Sequence, residues 1–168
     1  MTEFELGKSV SNFTLPAVSG ENYHFSSYRK EKGGWHLIIF FRGSWCPACK
    51  AELEELEKSK EYFDRKNIHI TTISTDKLDA LKEMVNEHKF TFPVLSDENH
   101  EALKAYKVHY HSENDPYDDH GAHGEPAYFL VNEDGNLLYQ QRQTSPFGRP
   151  TAVELRKITQ YISKNLKR

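Results

Sequence analysis

Cysteine is nearly absent from this chain. Two thiols in 168 residues exclude the disulfide framework that holds many small secreted domains together. Long hydrophobic runs are missing as well. Stretches such as Leu37-Ile38-Ile39-Phe40-Phe41 fall far short of the ~20 apolar residues that cross a bilayer. Neither sign of charge dominates: a net charge of −3 and a pI near 6.3 give no electrostatic grounds for a nucleic acid or an anionic membrane as partner. Met1-Thr2-Glu3-Phe4-Glu5-Leu6 lacks the basic segment followed by an apolar one that marks a secretory signal. Repeats, linkers and low-complexity tracts are also lacking. The expectations are one domain over residues 1–168, large enough to bury a core without staples, and a cytoplasmic location.

The two cysteines that are present stand three apart, in Trp45-Cys46-Pro47-Ala48-Cys49, where an apolar strand pattern gives way to a helical one. At a helix start, orphan backbone N–H groups and the helix dipole favour negative charge. Such settings lower a thiol pKa from ~8.5 into a range of roughly 3.5–7.5. Pro47 suits the first helical position, where its missing N–H is not needed. Cys49, one turn on, shares the face of Cys46 and is placed to close a short disulfide with it. The spacing therefore points to dithiol–disulfide chemistry, with Cys46 as nucleophile and Cys49 as resolving thiol and with no cofactor required. Two buried structural cysteines are the plain alternative; a zinc site would need further Cys or His ligands.

Along the chain, strands and helices alternate. Phe13-Thr14-Leu15 and Asn22-Tyr23-His24-Phe25 read as short strands around Ser19-Gly20. The run from 35 to 41 is a central strand covered on both faces, and a helix is predicted over 46–65 with Leu53, Leu56 and Phe63 on one face. Strands follow at 68–73 and 92–95, with helices at Leu78, Leu81 and Val85 and near 102–106. Residues 109–125 read as a long polar loop. A hairpin pairs 127–131 with 136–140, and a closing helix carries Leu155, Ile158, Ile162 and Leu166. The fold class is α/β, a three-layer sandwich with a mixed central sheet.

With these residues in place, the chain resembles a thioredoxin-fold protein of the alkyl hydroperoxide reductase and thiol-specific antioxidant (peroxiredoxin-like) branch. The likeness rests on the Trp-Cys-Pro-Ala-Cys motif, on Glu125-Pro126-Ala127-Tyr128-Phe129 before the last hairpin, and on three further segments. These are Gly7-Lys8-Ser9-Val10-Ser11-Asn12-Phe13-Thr14-Leu15-Pro16, Phe41-Arg42-Gly43-Ser44-Trp45-Cys46-Pro47 and Phe92-Pro93-Val94-Leu95-Ser96-Asp97. The resemblance implies a thioredoxin-like sandwich with an N-terminal β extension. It also implies a cis Pro126 facing the dithiol, with Glu125 near the sulfurs, opposing thiolate formation or taking a proton from Cys49.

Peroxiredoxins carry a Pro-x-x-x-Thr-x-x-Cys pattern and an arginine just before the last hairpin, which together hold and polarise a peroxide. Here the proline position is Ile39, the threonine position is Gly43 and the arginine position is Pro126. The site, with its dithiol and proline, therefore favours a thiol–disulfide oxidoreductase acting on protein or small-molecule disulfides and recharged by a thiol reductant such as a thioredoxin. The surrounding chain favours the peroxiredoxin-like branch; the site is weighted, because function lives there rather than in the fold. Arg42 is the one candidate for a substitute charge beside Cys46; otherwise it is a structural arginine. Trp45 is expected to shield the dithiol and, with Pro47 and Pro126, to contact substrate. A thiol peroxidase using Cys46 on hydroperoxides and a module holding a soft ion on the dithiol are the alternatives. His109, His111, His120 and His123, with Asp115, Asp118 and Asp119, match no closed metal site securely, so no metal is expected there. Glu52, Glu54, Glu55 and Glu57 read as a solvated helix face.

Overall fold

The structure is a computed structural model that describes residues 4–167. Met1, Thr2 and Glu3, half of the segment read as lacking a secretory signal, lie outside the described residues.

The middle of the molecule is set by one strand. Trp35–Phe40 (β3) is apolar at nearly every position and buried on both faces. Ile68–Ser74 (β4) lies parallel to it and Val94–Ser96 (β5) parallel to β4. On the other side Ala127–Val131 (β8) and then Leu137–Arg142 (β9) run antiparallel, giving the order β5-β4-β3-β8-β9. The mixed sheet is as expected from the sequence, because helical crossovers enforce parallel neighbours and the three-residue turn at 133–135 enforces an antiparallel one.

The two-residue side-chain period of a strand sorts the core into two halves. Leu37, Ile39 and Phe41 join Tyr128 and Leu130 on one face. They pack against Leu53, Leu56 and Phe63 of Pro47–Arg65 (α2), Leu81 and Met84 of Leu78–His88 (α3), and Leu155 of Ala152–Asn165 (α5). Ile38, Phe40, Ala127 and Phe129 face the other way, onto Phe13, Leu15, Tyr23, Leu103 and Tyr106. Truncating one of these fully buried aromatic side chains to alanine should cost about 3–5 kcal/mol. A capping box on Thr151 and Glu154 starts α5. No helix among the described residues is long and apolar enough to cross a membrane.

Two sequence expectations change. Thr14–Pro16 (β1) and Asn22–His24 (β2) pair as predicted, but Phe25 does not extend the strand. It opens a helix, Phe25–Lys32 (α1), because its ring is buried and stacks on Phe13 at 5.2 Å, which turns the chain inward. Arg29, Lys30 and Lys32 in its last turn suit the negative end of the dipole. The turn that follows needs glycine: Gly34 has a φ of +65°, and a Cβ there would stand 2.1 Å from the Asn67 carbonyl oxygen.

The second change concerns the two ends of 109–125, which are not solvated loop. After Glu101–Ala105 (α4), whose first N–H groups are capped by Asp97, Tyr110–His111 (β6) pairs antiparallel with His123–Gly124 (β7). The Glu125 N–H donates to the His109 carbonyl at 2.8 Å. This arm buries His111, His123 and Glu125 at the end of β3 where the dithiol lies.

Candidate active site

Cys46 is the N-cap of α2, with extended backbone (φ −91°, ψ 108°), and Pro47 follows at the helix start. The Cys46 sulfur accepts the Cys49 N–H at 3.4 Å, and the Cys49 sulfur accepts the Arg42 N–H at 3.4 Å. Both thiols are free and only 2% and 0% exposed. The segment between β3 and α2 is pinned by Asp76, whose carboxylate accepts the Ser44 N–H at 3.0 Å and the Ser44 hydroxyl at 2.6 Å. The Ser74 hydroxyl also donates to the Arg42 carbonyl at 3.2 Å.

The two thiols are electrostatically unequal. The neighbouring Cys49 thiol favours the Cys46 thiolate most, and with the Cys49 N–H and Arg149 it outweighs burial and draws the Cys46 pKa down from 9.0 to about 5. Reciprocally, Cys46 pushes Cys49 well above the thiol range, and burial adds to the rise. One nucleophile held as thiolate and one partner held protonated is the arrangement that dithiol exchange uses.

Two arginines reach the sulfurs. Arg149, from the segment before α5, places Nη1 3.1 Å from the Cys49 sulfur and Nη2 4.0 Å from that of Cys46. Its Nη1 also donates to Glu52 at 2.7 Å, and the Tyr128 hydroxyl donates to the other Glu52 oxygen at 2.7 Å. Burial lifts the Glu52 carboxyl above its ordinary range, against the pull of Tyr128 and Arg149. Arg42 places Nη1 3.8 Å from the Cys46 sulfur and is otherwise taken up by Asp119, Glu125 and His123. His123 Nε2 stands 2.9 Å from Arg42 Nη2 and 2.7 Å from Glu125 Oε1. By tautomer it accepts from the first or donates to the second, not both.

Of the residues singled out in the sequence, Cys46, Cys49, Trp45, Pro47 and Arg42 come together. With Ala48, His120, Pro146 and Phe147, all but Cys49, which is fully buried beneath, line a groove over the Cys46 sulfur. The Trp45 indole lies under the Arg42 guanidinium at 4.9 Å and edge-on to His123 at 4.8 Å. It also fills the space over Gly43, where a Cβ would meet Trp45 Nε1 at 2.3 Å. Glu125 faces Arg42 and His123 and meets the dithiol only through Arg42.

Pro126 corrects the expectation of a cis bond, since no peptide among the described residues is cis. The chain runs from β7 into β8 with the Glu125 N–H held by His109 and the Pro126 carbonyl held by the Gln143 N–H at 2.9 Å, a course that an ordinary trans bond satisfies. Glu52, read as solvated, is half-buried and bonded on both oxygens. Arg149, Glu52 and Tyr128 escaped the sequence reading. Only Glu52 had a local signal, three residues after Cys49 on the same helix face.

Comparison with known proteins agrees with this geometry. The thiol-disulfide oxidoreductase ResA of Bacillus thuringiensis subsp. konkukian (strain 97-27) is 25% identical over 139 residues, which are 82% of this chain and 70% of the relative. The putative peroxiredoxin Rv2521 of Mycobacterium tuberculosis (strain ATCC 25618 / H37Rv) is 26% identical over 159 residues, 88% of this chain and 90% of the relative. In fold, the chain is similar to the crystal structure of peroxidoxin BcpB from Mycobacterium tuberculosis, with a TM-score of 0.78 and 16% identity over 99% of this chain and 100% of that one. The peroxiredoxin 6 of Arenicola marina gives a TM-score of 0.81 and 18% identity over 98% of this chain and 76% of that one. Residues 6–140 match the AhpC/TSA family, and with a CxxC pair at the head of α2 in a thioredoxin-like sheet, the chain is a thiol-based redox enzyme that belongs to that family.

Proposed function

We propose that the chain is a thiol–disulfide oxidoreductase in which Cys46 attacks and Cys49 resolves. The observation that carries this reading is geometric: Cys46 caps α2 and accepts the Cys49 N–H at 3.4 Å, one turn from Cys49, with Arg149 reaching both sulfurs. The thiols are drawn apart accordingly, Cys46 down to about 5 and Cys49 upward. The Cys46 thiolate attacks a substrate disulfide, forms a mixed disulfide and expels one substrate thiolate. Cys49 then loses its proton to the departing substrate sulfur and attacks Cys46, releasing the second thiol. Two electrons pass to the substrate, and the Cys46–Cys49 disulfide returns to dithiol at the expense of a thiol reductant such as a thioredoxin.

Arg149, 3.1 Å from Cys49, stabilises the negative charge that this sulfur carries while it attacks. Trp45, Pro47 and the exposed Phe147 offer an apolar rim suited to the polypeptide around a disulfide. The indole over Gly43 fills the place where the family's peroxide-binding threonine would stand, which favours disulfides over peroxides. Pro126 and Glu125 take a supporting part, through the β7–β8 junction and Arg42. The relative named as a thiol-disulfide oxidoreductase supports the same reading.

A second reading is favoured by the two guanidinium groups at the sulfurs and by the relative named as a putative peroxiredoxin. In it the Cys46 thiolate cleaves the O–O bond of a hydroperoxide, releasing water or alcohol, and Cys49 condenses with the sulfenic acid, releasing water. The test is catalytic reduction of a protein disulfide with an external dithiol, run beside the rate at which hydrogen peroxide consumes Cys46. Disulfide turnover that is abolished in Cys46→Ser, trapped as a mixed disulfide in Cys49→Ser, and accompanied by peroxide reactivity near that of a free thiolate supports the first reading. Peroxide consumption far above a free thiolate supports the second. Full disulfide turnover by Cys46→Ser overturns the first.

A further inference from the structure

The β6–β7 arm carries polar groups that dithiol exchange leaves unused. Here we infer a divalent transition-metal site formed by His109, His111 and Asp115, of the borderline class that Zn²⁺ represents. Asp115 Oδ2 stands 3.0 Å from His109 Nε2 and 2.8 Å from His111 Nδ1, and the three donor atoms lie within 4.8 Å of one another. Ligands about 2.0–2.1 Å from one ion in a tetrahedral shell stand roughly 3.3 Å apart, so the two Asp115 contacts need only a small expansion to admit a metal.

The independent sign is His111 itself. Its side chain is 2% exposed, yet Nδ1 has no hydrogen-bond partner, the nearby Asp115 oxygen being out of line. A buried ring nitrogen left unsatisfied is costly, and this one stands 2.8 Å from the same carboxylate oxygen that His109 contacts, without a bond in line to it. An ion between them satisfies all three. The ligands are held in place by the fold. His111 is fixed by strand pairing with His123 and by ring stacking on it at 5.4 Å. The Asp115 N–H donates to the Ser112 carbonyl at 3.0 Å, a turn that brings the carboxylate back over β6.

Two imidazoles and one carboxylate suit Zn²⁺, Ni²⁺ or Cu²⁺, whereas a soft Cu⁺ prefers sulfur. His109 and Asp115 are 34% and 17% exposed, which gives the ion a way in and leaves a position for water. The neighbouring trio of His111, Asp119 and Glu125 is the weaker choice, because the Arg42 guanidinium already pairs with both carboxylates. His120, which the sequence grouped with these residues, packs at a tilt against Trp45 instead.

The test uses the full chain with both cysteines replaced, Cys46→Ser/Cys49→Ser, stripped of metal and titrated with Zn²⁺ by calorimetry and with Co²⁺ by absorbance. The expected result is one equivalent bound and a cobalt spectrum free of sulfur charge-transfer bands. Losing even an outer-shell partner of a metal site costs roughly 10–100-fold, so His109→Ala and Asp115→Asn in that background should each weaken binding by roughly 100-fold or more. Both positions are partly exposed, and circular dichroism checks that the variants fold. No binding by the cysteine-free protein, or affinity unchanged in both ligand variants, overturns the site.

Discussion

Two arginines approach the same pair of sulfurs, and they are held in different ways. Arg42, from the end of β3, is buried among Asp119, Glu125 and His123, and its nearest sulfur contact is 3.8 Å. Arg149 meets a single carboxylate, Glu52, and points Nη1 at Cys49 from 3.1 Å. A guanidinium surrounded by two carboxylates has little charge left to act on a third group, while one balanced by a single carboxylate keeps more. Arg42 is thus chiefly a fastener between β3 and the β6–β7 arm, and Arg149 is the cation the dithiol feels.

The most severe way to test this contrast is Arg42→Met. Removing one partner of a buried ion pair typically costs about 3–5 kcal/mol, and here Glu125 would be left buried without its cation. Urea unfolding should register that loss, while the Cys46 titration should move little. A stable Arg42→Met protein with a strongly raised Cys46 midpoint would reverse the roles of the two arginines.

Arg149→Met comes next and should do the opposite. Alkylation of Cys46 by iodoacetamide should titrate with a midpoint near pH 5 in the native chain, falling about tenfold per pH unit below it as the thiolate is protonated. In Arg149→Met the midpoint should rise by roughly one pH unit, since a cation favouring the charged form has gone. An unmoved midpoint would leave the Cys49 thiol and the helix start as sufficient causes.

Glu52→Gln sharpens the comparison from the other side. With its carboxylate neutralised, Arg149 acts on the sulfurs unopposed, and the Cys46 midpoint should fall by roughly half a pH unit. Glu125→Gln should have the smallest effect on that midpoint, under about 0.3 pH units, because Glu125 meets the dithiol only through Arg42. A larger shift would give Glu125 the direct part that the sequence suggested.

The same contrast explains what was legible in the sequence. Arg42 lies four residues before Cys46, so its nearness to the dithiol followed from local spacing. Arg149 lies a hundred residues after Cys49 in a turn-rich segment, and no periodicity connects them; only the packing of α5 on α2 brings it over. The large elements were readable because β3, α2 and α5 carry long, regular apolar patterns. The short β6–β7 pairing left no such trace, since two residues cannot show a period, and its burial of His111, His123 and Glu125 was hidden with it. The helix α1 was missed because one buried ring, Phe25, ends the strand pattern and starts the helix.

A helix capped by a titratable sulfur has a stability tied to its oxidation state. The first turn of α2 contains no acidic side chain, and the Cys46 thiolate is the anion there, facing the Cys49 N–H and Arg149. Closing the disulfide removes that charge, so the folded protein holds its two extra electrons more firmly than an unperturbed dithiol does. Read around a thermodynamic cycle, the free energy that stabilises the cap is also a displacement of the reduction potential toward the oxidising side. Under the thiol–disulfide reading proposed above, a donor of ordinary strength would keep the enzyme charged, and the acceptors open to it would be those still more oxidising than itself, strained or exposed disulfides rather than the buried structural ones.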